Sequence, residues 1–429
     1  SRLVTENVLK HLAELSAVAS LDKDAKDMLE DGFRYIDADE LKRYAEIKKH
    51  SGKDWTPGTS GINYLYLSSL YTHKISAEVD SMQKDYASRL AGISGTLDIG
   101  NKAKLAYIMK TFDNMSKASE LVASLREYTV YRKDVGRYYD TPKAYYSSVD
   151  YRIPVQVDAM KAMAEMRSDF SDTDDYLRDM QLWLVRQKQV QAWDNPINTI
   201  EAVNALLMYN GDWTVRESAV PEIKLGKNEL KVNNQTAGIG YVKISVPEDV
   251  LSKGGNVRID KKSAGLSWGA VYGQCLEDME SLKKSSGESG LSVDRRMLVM
   301  RKDSTGANVW RELRDGERLA VGDRVKVRLV VSADRDMDFV QVRDQRAACM
   351  EPVSQLSGYR FGNGQGFYVA VHDSSSDYFF DIFRKGTCTI DTEMYVTRSG
   401  VYKQGIAEAQ CAYSASFVGR CASGTVSVE

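Results

Sequence analysis

The run Arg324-Val325-Lys326-Val327-Arg328-Leu329-Val330-Val331 alternates charged and apolar residues with a period of two. A strand points successive side chains to opposite faces, so this spacing predicts a half-buried strand. Similar short runs surround it: Leu291 to Arg301, Asp338 to Val342, Gly366 to Val371, Tyr378 to Ile382, Cys388 to Val396 and Ala407 to Tyr413. Glycine- and aspartate-rich turns separate many of them, which is the pattern of an antiparallel sandwich. Further upstream, Glu222 to Val232, Gly240 to Val246, Asn256 to Ile259 and Trp268 to Tyr272 read as a shorter strand series. Lys283 to Ser292 is polar and rich in serine and glycine, and reads as a joint between two β segments.

Before Pro221 the period changes. Leu3, Val8, Leu12, Leu15 and Val18 recur near helical spacing, and so do Leu29, Phe33, Ile36, Leu41, Tyr44 and Ile47. Ile62 to Val79, Leu105 to Phe112, Leu121 to Tyr131, Val155 to Met166, Tyr176 to Leu184 and Thr199 to Met208 continue the pattern. Short polar turns between such segments suit antiparallel neighbours. A closed or curved array of helical hairpins and an irregular bundle both fit this periodicity. The expected fold class is therefore multidomain α and β, helical first and antiparallel β afterwards. The expected domains are 1–219 (helical), 220–282 (a β segment) and 283–429 (a β-sandwich). Asp194 to Glu222 is a candidate hinge, because composition and periodicity both change there.

Composition narrows function. At roughly 100–200 residues per domain, the 429 residues imply two to four domains. The 58 basic and 60 acidic residues leave a net charge of -2, so no basic field attracts nucleic acid or anionic membrane. No window is long and apolar enough for a membrane helix, and residues 1–10 lack a signal peptide's apolar core.

Chemistry-bearing residues are sparse. Asp24/Asp27, Asp37/Asp39 and Asp172/Asp174/Asp175 are paired carboxylates, but each group reads more simply as a helix-start cap or a solvated face. Turnover dependent on Asp37 or Asp174 would mark a glycan-active enzyme. Trp55, Tyr138, Tyr139, Tyr145, Tyr146 and Trp193 enrich the helical part in aromatics. Packing is their ordinary role, and a glycan- or protein-binding surface is the alternative, with Trp55 and Tyr145 as its test positions. His11, His50, His73 and His372 show no metal-ligand spacing. Cys275, Cys349, Cys388, Cys411 and Cys421 all lie in the second half; Cys411 and Cys421 could bridge under oxidising conditions, and the rest read as small buried apolar residues. The string Gly265-Leu266-Ser267-Trp268-Gly269 matches GxSxG but lies in the strand series with no helix after it, and neither a glycine-rich phosphate loop between a strand and a helix nor a CxxC pair occurs. No catalytic residue, cofactor or metal site is assigned, and the chain is expected not to be an enzyme.

The stretch Asp334 to Pro352 resembles the terminal macroglobulin-like domain of the bacterial alpha-2-macroglobulin family. Leu356-Ser357-Gly358-Tyr359, Tyr378-Phe379-Phe380-Asp381, Lys385-Gly386-Thr387, Gly400-Val401-Tyr402, Gly405-Ile406-Ala407 and Cys411 to Phe417 follow in the family's order. Trp268 to Tyr272 and Val321-Gly322-Asp323 also fit. The helical part, with Trp193-Asp194-Asn195-Pro196 and Thr199 to Leu207, resembles the family's thioester-domain position.

The resemblance implies an alpha/alpha toroid for the helical part, a CUB-like or macroglobulin-like context for 220–282, and a C-terminal macroglobulin-like sandwich. It also implies a longer exported chain at the cell envelope, periplasmic or anchored to the outer membrane through an upstream segment. Its partner would be a protease, trapped and inhibited after a bait segment is cut. In thioester-bearing relatives a cysteine and a glutamine of the helical domain form a reactive bond. This chain has no cysteine before Cys275, so Gln181, Gln187, Gln189 and Gln191 have no thioester partner in residues 1–219. The implied role is non-covalent.

Overall fold

A computed structural model of the chain describes residues 2–52, 55–93, 97–140, 152–190, 193, 195–208, 221–231, 235–236, 241–252, 254–262, 269, 271–273, 276–279, 281–285, 288–314, 316–362 and 364–429. It divides into two compact units: residues 1–184 with 194–270, and residues 185–193 with 271–429.

The first unit is mainly helical. Its helices are α1 (Arg2–Val18), α2 (Lys23–His50), α3 (Thr59–Leu70), α4 (Ala77–Ala91), α5 (Ile99–Thr111) and α6 (Met115–Glu127). The strands β1 (Val130–Arg132) and β2 (Gly136–Tyr138) form a hairpin before α7 (Arg152–Glu165), α8 (Thr173–Val190) and α9 (Pro196–Met208). Side-chain caps start several of these helices. Asp22 accepts from the Ala25 N–H at 2.8 Å, Ser76 from Val79 at 3.3 Å, Asp98 from Asn101 at 2.9 Å and Asn114 from Lys117 at 3.2 Å. Each satisfies an N–H that has no partner within its own helix.

The odd-numbered helices pack in sequence: α1 on α3, α3 on α5, α5 on α7, α7 on α9, and α9 back on α1. Leu65, Leu105, Ile108, Val157 and Met160 are buried where these helices meet their neighbours. Burying each such side chain contributes about 1.5–3 kcal/mol before chain entropy is counted.

Helix α1 departs from expectation. Its apolar stripe was expected to face a core, yet Leu3, Val4, Val8 and Leu15 are exposed while Leu9, Ala13 and Glu14 are buried. The helical reading of Leu121 to Tyr131 also ends early, because α6 stops at Glu127 and Val130-Tyr131-Arg132 is a strand. β-branched and aromatic residues favour that conformation. Gly136 makes the hairpin possible: its φ is +94°, and a Cβ there would lie 2.3 Å from the Asp179 carbonyl oxygen.

The same unit holds small sheets. β3 (Glu222–Leu225) pairs with β4 (Asn228–Leu230) in a hairpin, and β5 (Gln235–Thr236) pairs with β6 (Tyr241–Val242). After the short α10 (Glu248–Leu251), β7 (Val257–Asp260) joins β3. The strand expected at Trp268 to Tyr272 is not formed at Gly269, Val271 or Tyr272; Trp268 and Ala270 lie outside the described residues.

The second unit is antiparallel β. Its strands begin with β8 (Leu291–Lys302), β9 (Asn308–Glu312), β10 (Arg324–Ala333), β11 (Met337–Gln345), β12 (Met350–Pro352), β13 (Gly358–Gly362) and β14 (Gln365–Val371). They continue with β15 (Ser375–Phe383), β16 (Gly386–Val396), β17 (Gly400–Gln404), β18 (Ala407–Cys411), β19 (Ser414–Arg420) and β20 (Gly424–Val428). One sheet has the order β12-β16-β10-β8-β9, another β13-β14-β15-β11-β18-β19, and β17 pairs with β20.

The alternating run that predicted a strand is the centre of the first sheet. β10 pairs with β8 and β16, placing Leu329 opposite both Arg295 and Ile390. Val325, Val327, Leu329 and Val331 point into one apolar core that also takes Val340, Val342 and Phe380 from the six-stranded sheet.

Candidate functional site

Polar residues from all five odd-numbered helices meet in the interior of the helical unit. α1 contributes Lys10, His11 and Glu14; α3 contributes Asn63 and Tyr66; α5 contributes Lys104; α7 contributes Asp158 and Lys161; α9 contributes Glu201 and Asn204. The spacings Lys10/Glu14, Asp158/Lys161 and Glu201/Asn204 put each set on one helix face. Lys10 Nζ lies 2.5 Å from Glu201 Oε1 and 3.2 Å from Asp158 Oδ1. Lys161 donates to Glu14 and sits 3.7 Å from Glu201 Oε2. The Tyr66 hydroxyl donates to Asp158 at 2.9 Å, Asn204 Nδ2 to Glu14 at 2.9 Å, and Lys104 to Asn63 at 2.8 Å.

Three carboxylates therefore face three ammonium groups. The side chains of Glu14, Asp158 and Glu201 are 3%, 3% and 2% exposed, so these charges lie almost wholly out of water. Burial opposes ionisation of Lys10, but the charges of Asp158, Glu201 and Glu14 more than offset it and hold the proton firmly. Burial likewise opposes the Glu201 carboxylate, yet Lys10 and Lys161 hold it well below the ordinary range. Burial, reinforced by Asp158, Glu14 and Glu201, pushes the Tyr66 hydroxyl well up, which keeps it a donor. Burial lowers Lys104 despite the attraction of Asp158.

Ligand atoms of His11, Glu14 and Glu201 lie within 4.8 Å of one another, which is metal-site spacing. The ammonium groups of Lys10 and Lys161 already hold Glu201 Oε1 and Glu14 Oε1, while the buried Glu201 Oε2 accepts no hydrogen bond and has Lys161 3.7 Å away. A divalent ion would add positive charge to a buried centre that is already balanced, so this donor set does not fit a metal. Nor is it arranged for catalysis, because every carboxylate is held by cations or hydroxyl and amide donors. What it does chemically is hold five helices in register.

Sequence reasoning missed this centre. Its only signal was helical spacing within each of α1, α7 and α9, whereas its contacts span up to 190 positions.

The carboxylates singled out from the sequence are dispersed. Asp24 and Asp27 are exposed on α2. Asp37 lies in the middle of α2 and is buried, which corrects its reading as part of a helix start. Asp172 precedes α8 as expected and meets the Arg126 guanidinium at 2.6 Å, which lowers its carboxyl pKa. Asp174 and Asp175 occupy the first turn of α8.

Trp55 is covered rather than presented. Arg89 lies 4.3 Å from its ring centroid, and Tyr44 and Tyr86 meet it edge-on. Tyr145 and Tyr146 lie outside the described residues, as do Asp194, the remainder of the candidate hinge from 209 to 220, and Gln191. Gln181 is buried and donates to the Ala205 carbonyl at 3.2 Å. The four histidines do not meet. His11 joins the centre, His73 contacts Asp37, His50 lies 3.2 Å from Glu46, and His372 lies 3.8 Å from Asp377.

In the β unit, Cys349, Cys388, Cys411 and Cys421 are buried free thiols; Cys275 lies outside the described residues. A Cys411–Cys421 bridge is ruled out by register. The Cys421 N–H bonds the Ala407 carbonyl, four positions along β18 from Cys411. Four residues of strand span about 13 Å, too far for a disulfide. Burial pushes the thiols of Cys349, Cys388 and Cys411 up, so they act as small apolar residues.

This unit also has a groove of about 750 Å³ walled by Val353, Leu356, Phe361, Phe367, Tyr378 and Ile390. Of the charged residues lining it, Arg328 pairs with Asp391 and Glu393 pairs with Arg324, while Arg360 donates to Ser354 and to the Leu356 carbonyl. On the face of the six-stranded sheet opposite Phe367, Val369 and Tyr378, the exposed Tyr359, Tyr368 and Phe379 stand opposite one another across β13, β14 and β15.

Residues 290–415, which run from just before β8 into β19, match the family model of the bacterial alpha-2-macroglobulin MG10 domain. Among solved structures, the chain is similar to a trypsin-activated alpha-2-macroglobulin from Escherichia coli. The identity is 12%, the TM-score 0.44, and the match covers 100% of this chain and 32% of that one. It is also similar to the Escherichia coli protein activated by porcine elastase, at 12% identity and TM-score 0.36, covering 96% of this chain and 34% of that one. For a Salmonella alpha-2-macroglobulin reacted with methylamine the identity is 12% and the TM-score 0.27, with 86% and 25% covered. The chain spans about a third of the length of the first two of these. No curated protein matches it in sequence.

Proposed function

We propose that this chain is the C-terminal structural and interaction region of a non-thioester alpha-2-macroglobulin-like protein. The observation that carries this reading is the MG10 match over residues 290–415, which coincides with the two large sheets and their shared core. In this reading the two sheets form the macroglobulin-like sandwich of domain 283–429. The helical part, 1–219, is a thioester-like alpha/alpha toroid; the cyclic packing of α1, α3, α5, α7 and α9 supports that closure. The β segment 220–282 is part of a CUB-like or macroglobulin-like module.

The role is non-covalent. Residues 1–219 contain no cysteine, so a cysteine–glutamine thioester cannot form within them. Among the described residues, the interior of the helical unit is an ionic centre in which Glu14, Asp158 and Glu201 are paired with lysines. The whole protein would trap a protease at the cell envelope by changing shape after cleavage, and this region would supply rigid surfaces to the trap rather than catalysis.

Protease inhibition by the full-length protein tests the reading. A trap blocks cleavage of a large protein substrate while sparing a small peptide substrate, and loses that difference when the cleavable segment is deleted. Equal cleavage of both substrates, with or without the segment, rejects the trap. The exposed row Tyr359, Tyr368 and Phe379 favours a second reading, a surface-protein-binding module without catalysis. In that case binding would survive deletion of the cleavable segment and be lost on changing Tyr359 and Tyr368 to serine.

A further inference from the structure

A second buried polar cluster lies between α2, α3 and α4. The Asp37 carboxylate on α2 accepts from the Tyr64 hydroxyl of α3 at 2.7 Å. Tyr64 in turn accepts from Gln83 Nε2 of α4 at 3.0 Å. The other Asp37 oxygen lies 2.9 Å from Nε2 of His73, in the segment joining α3 to α4. His73 Nδ1 lies 3.2 Å from the carbonyl oxygen of Tyr71. The imidazole stacks on Phe33 at 4.3 Å, and Tyr71 stacks on the same Phe33 at 5.5 Å. The side chain of His73 is 4% exposed and that of Asp37 7%.

Both ring nitrogens thus face acceptors, a carboxylate and a carbonyl. A neutral imidazole has one N–H and one lone pair, so one of these contacts would set a lone pair against an oxygen. Only the imidazolium donates to both. It is also the only cation paired with Asp37 among the described residues.

We propose that His73 is a buried imidazolium that latches the α3–α4 segment to α2, and that this sector of the helical unit loosens as pH rises. Burial works against the charge. The hydrogen bonds to Asp37 and to the Tyr71 carbonyl, with the charges of Asp37 and Glu30, outweigh it and raise the pKa above its ordinary 6.5. The titratable groups facing the ring are Glu30 and Asp37 from α2, Tyr64 from α3 and Tyr71 from the joining segment; Lys74 points to solvent. The folded state therefore binds this proton more tightly than the unfolded chain. The latch contributes fully below pH 6.5 and is lost as pH rises through the folded pKa. Deprotonation would remove the counter-charge of Asp37 and leave one N–H for two acceptors, so either the buried carboxylate or the Tyr71 carbonyl loses its donor, a costly state.

The test is a pH titration of the intact chain, reading the ring nitrogens of His73 by nitrogen-15 NMR and the protection of amides 70–76 by hydrogen exchange. The expected result is two protonated ring nitrogens at pH 6.5, with protection factors that fall as the ring titrates above it. In Asp37→Asn, proton binding by His73 should weaken about tenfold or more. His73→Gln should abolish the pH dependence of protection. A single protonated nitrogen at pH 6, or protection that stays constant while the ring titrates, overturns the proposal. The wild-type titration decides it even if neither variant folds.

Discussion

Both units bury apolar side chains, but the helical unit also gathers a cluster of opposite charges in its interior. In the β unit, Val325, Val327, Leu329 and Val331 of β10 point into an apolar core, and charged partners such as Arg328 and Asp391 pair outside it. In the helical unit, α1 turns Glu14 inward beside Lys161 and leaves Leu3, Val4 and Val8 in solvent. An apolar core tolerates small errors of register because it has no directional bonds. A balanced ionic centre does not, since each misplaced group strands a buried charge. The helical unit is thereby committed to one arrangement of its five odd-numbered helices.

The sharpest way to break this contrast is Lys161→Met. It removes one ammonium from the centre and leaves Glu14 and Glu201 short of a partner, at a cost of about 3–5 kcal/mol. Urea unfolding followed through amides of α1, α7 and α9 should show the loss in the helical unit alone. Leu329→Ala makes the matching cut in the β unit. It should cost about 2–5 kcal/mol through lost burial and a cavity, read from amides of β8, β10 and β16. If Lys161→Met proved harmless while Leu329→Ala was severe, the ionic centre would be incidental.

The smallest effect sharpens the contrast by testing an exception to it. Asp344 is a carboxylate buried in the β unit, 3.1 Å from Arg295. Burial pushes its carboxyl up to about 6, against the opposing charges of Arg295 and Arg346. Since the folded value lies above the ordinary 3.8, folding takes up a proton between these pH values. Stability of the β unit should rise as pH falls through 6 and level off below 3.8. Asp344→Asn should flatten that dependence while changing stability at pH 7 by only about 1 kcal/mol, because the lost ion pair and the relieved burial offset each other. Denaturation midpoints of the two proteins between pH 4.5 and 7.5 would check this.

The division between helices and strands was legible because local periodicity carried it. The alternation at 324–331 became β10, and the acidic run at 172–175 became the start of α8. Short edge elements such as β12 and β13 were not legible, since three to five residues carry too little pattern. The ionic centre was hidden for a different reason. Lys10, His11 and Glu14 look like the solvent face of an amphipathic helix, and only partners on α7 and α9 reverse that assignment. Asp37 was misplaced because an acidic run resembles a helix start, although α2 continues through it to His50. His73 gave no signal at all, because its two acceptors come from a neighbouring backbone carbonyl and a helix 36 positions away.

The ionic centre also sets a timetable. Glu14 and His11 are made before their partners Asn204 and Glu201, which lie 190 positions later. At ~5–20 residues per second, that is a wait of roughly 10–40 s during synthesis. Until α7 supplies Lys161 and Asp158, 147 and 148 positions on, α1 has no counter-charges from α7 or α9, and the set stays incomplete until α9. The cyclic packing of the helical unit is therefore completed last by α9, and a chain stopped short of Glu201 would leave α1 for proteases and chaperones to find.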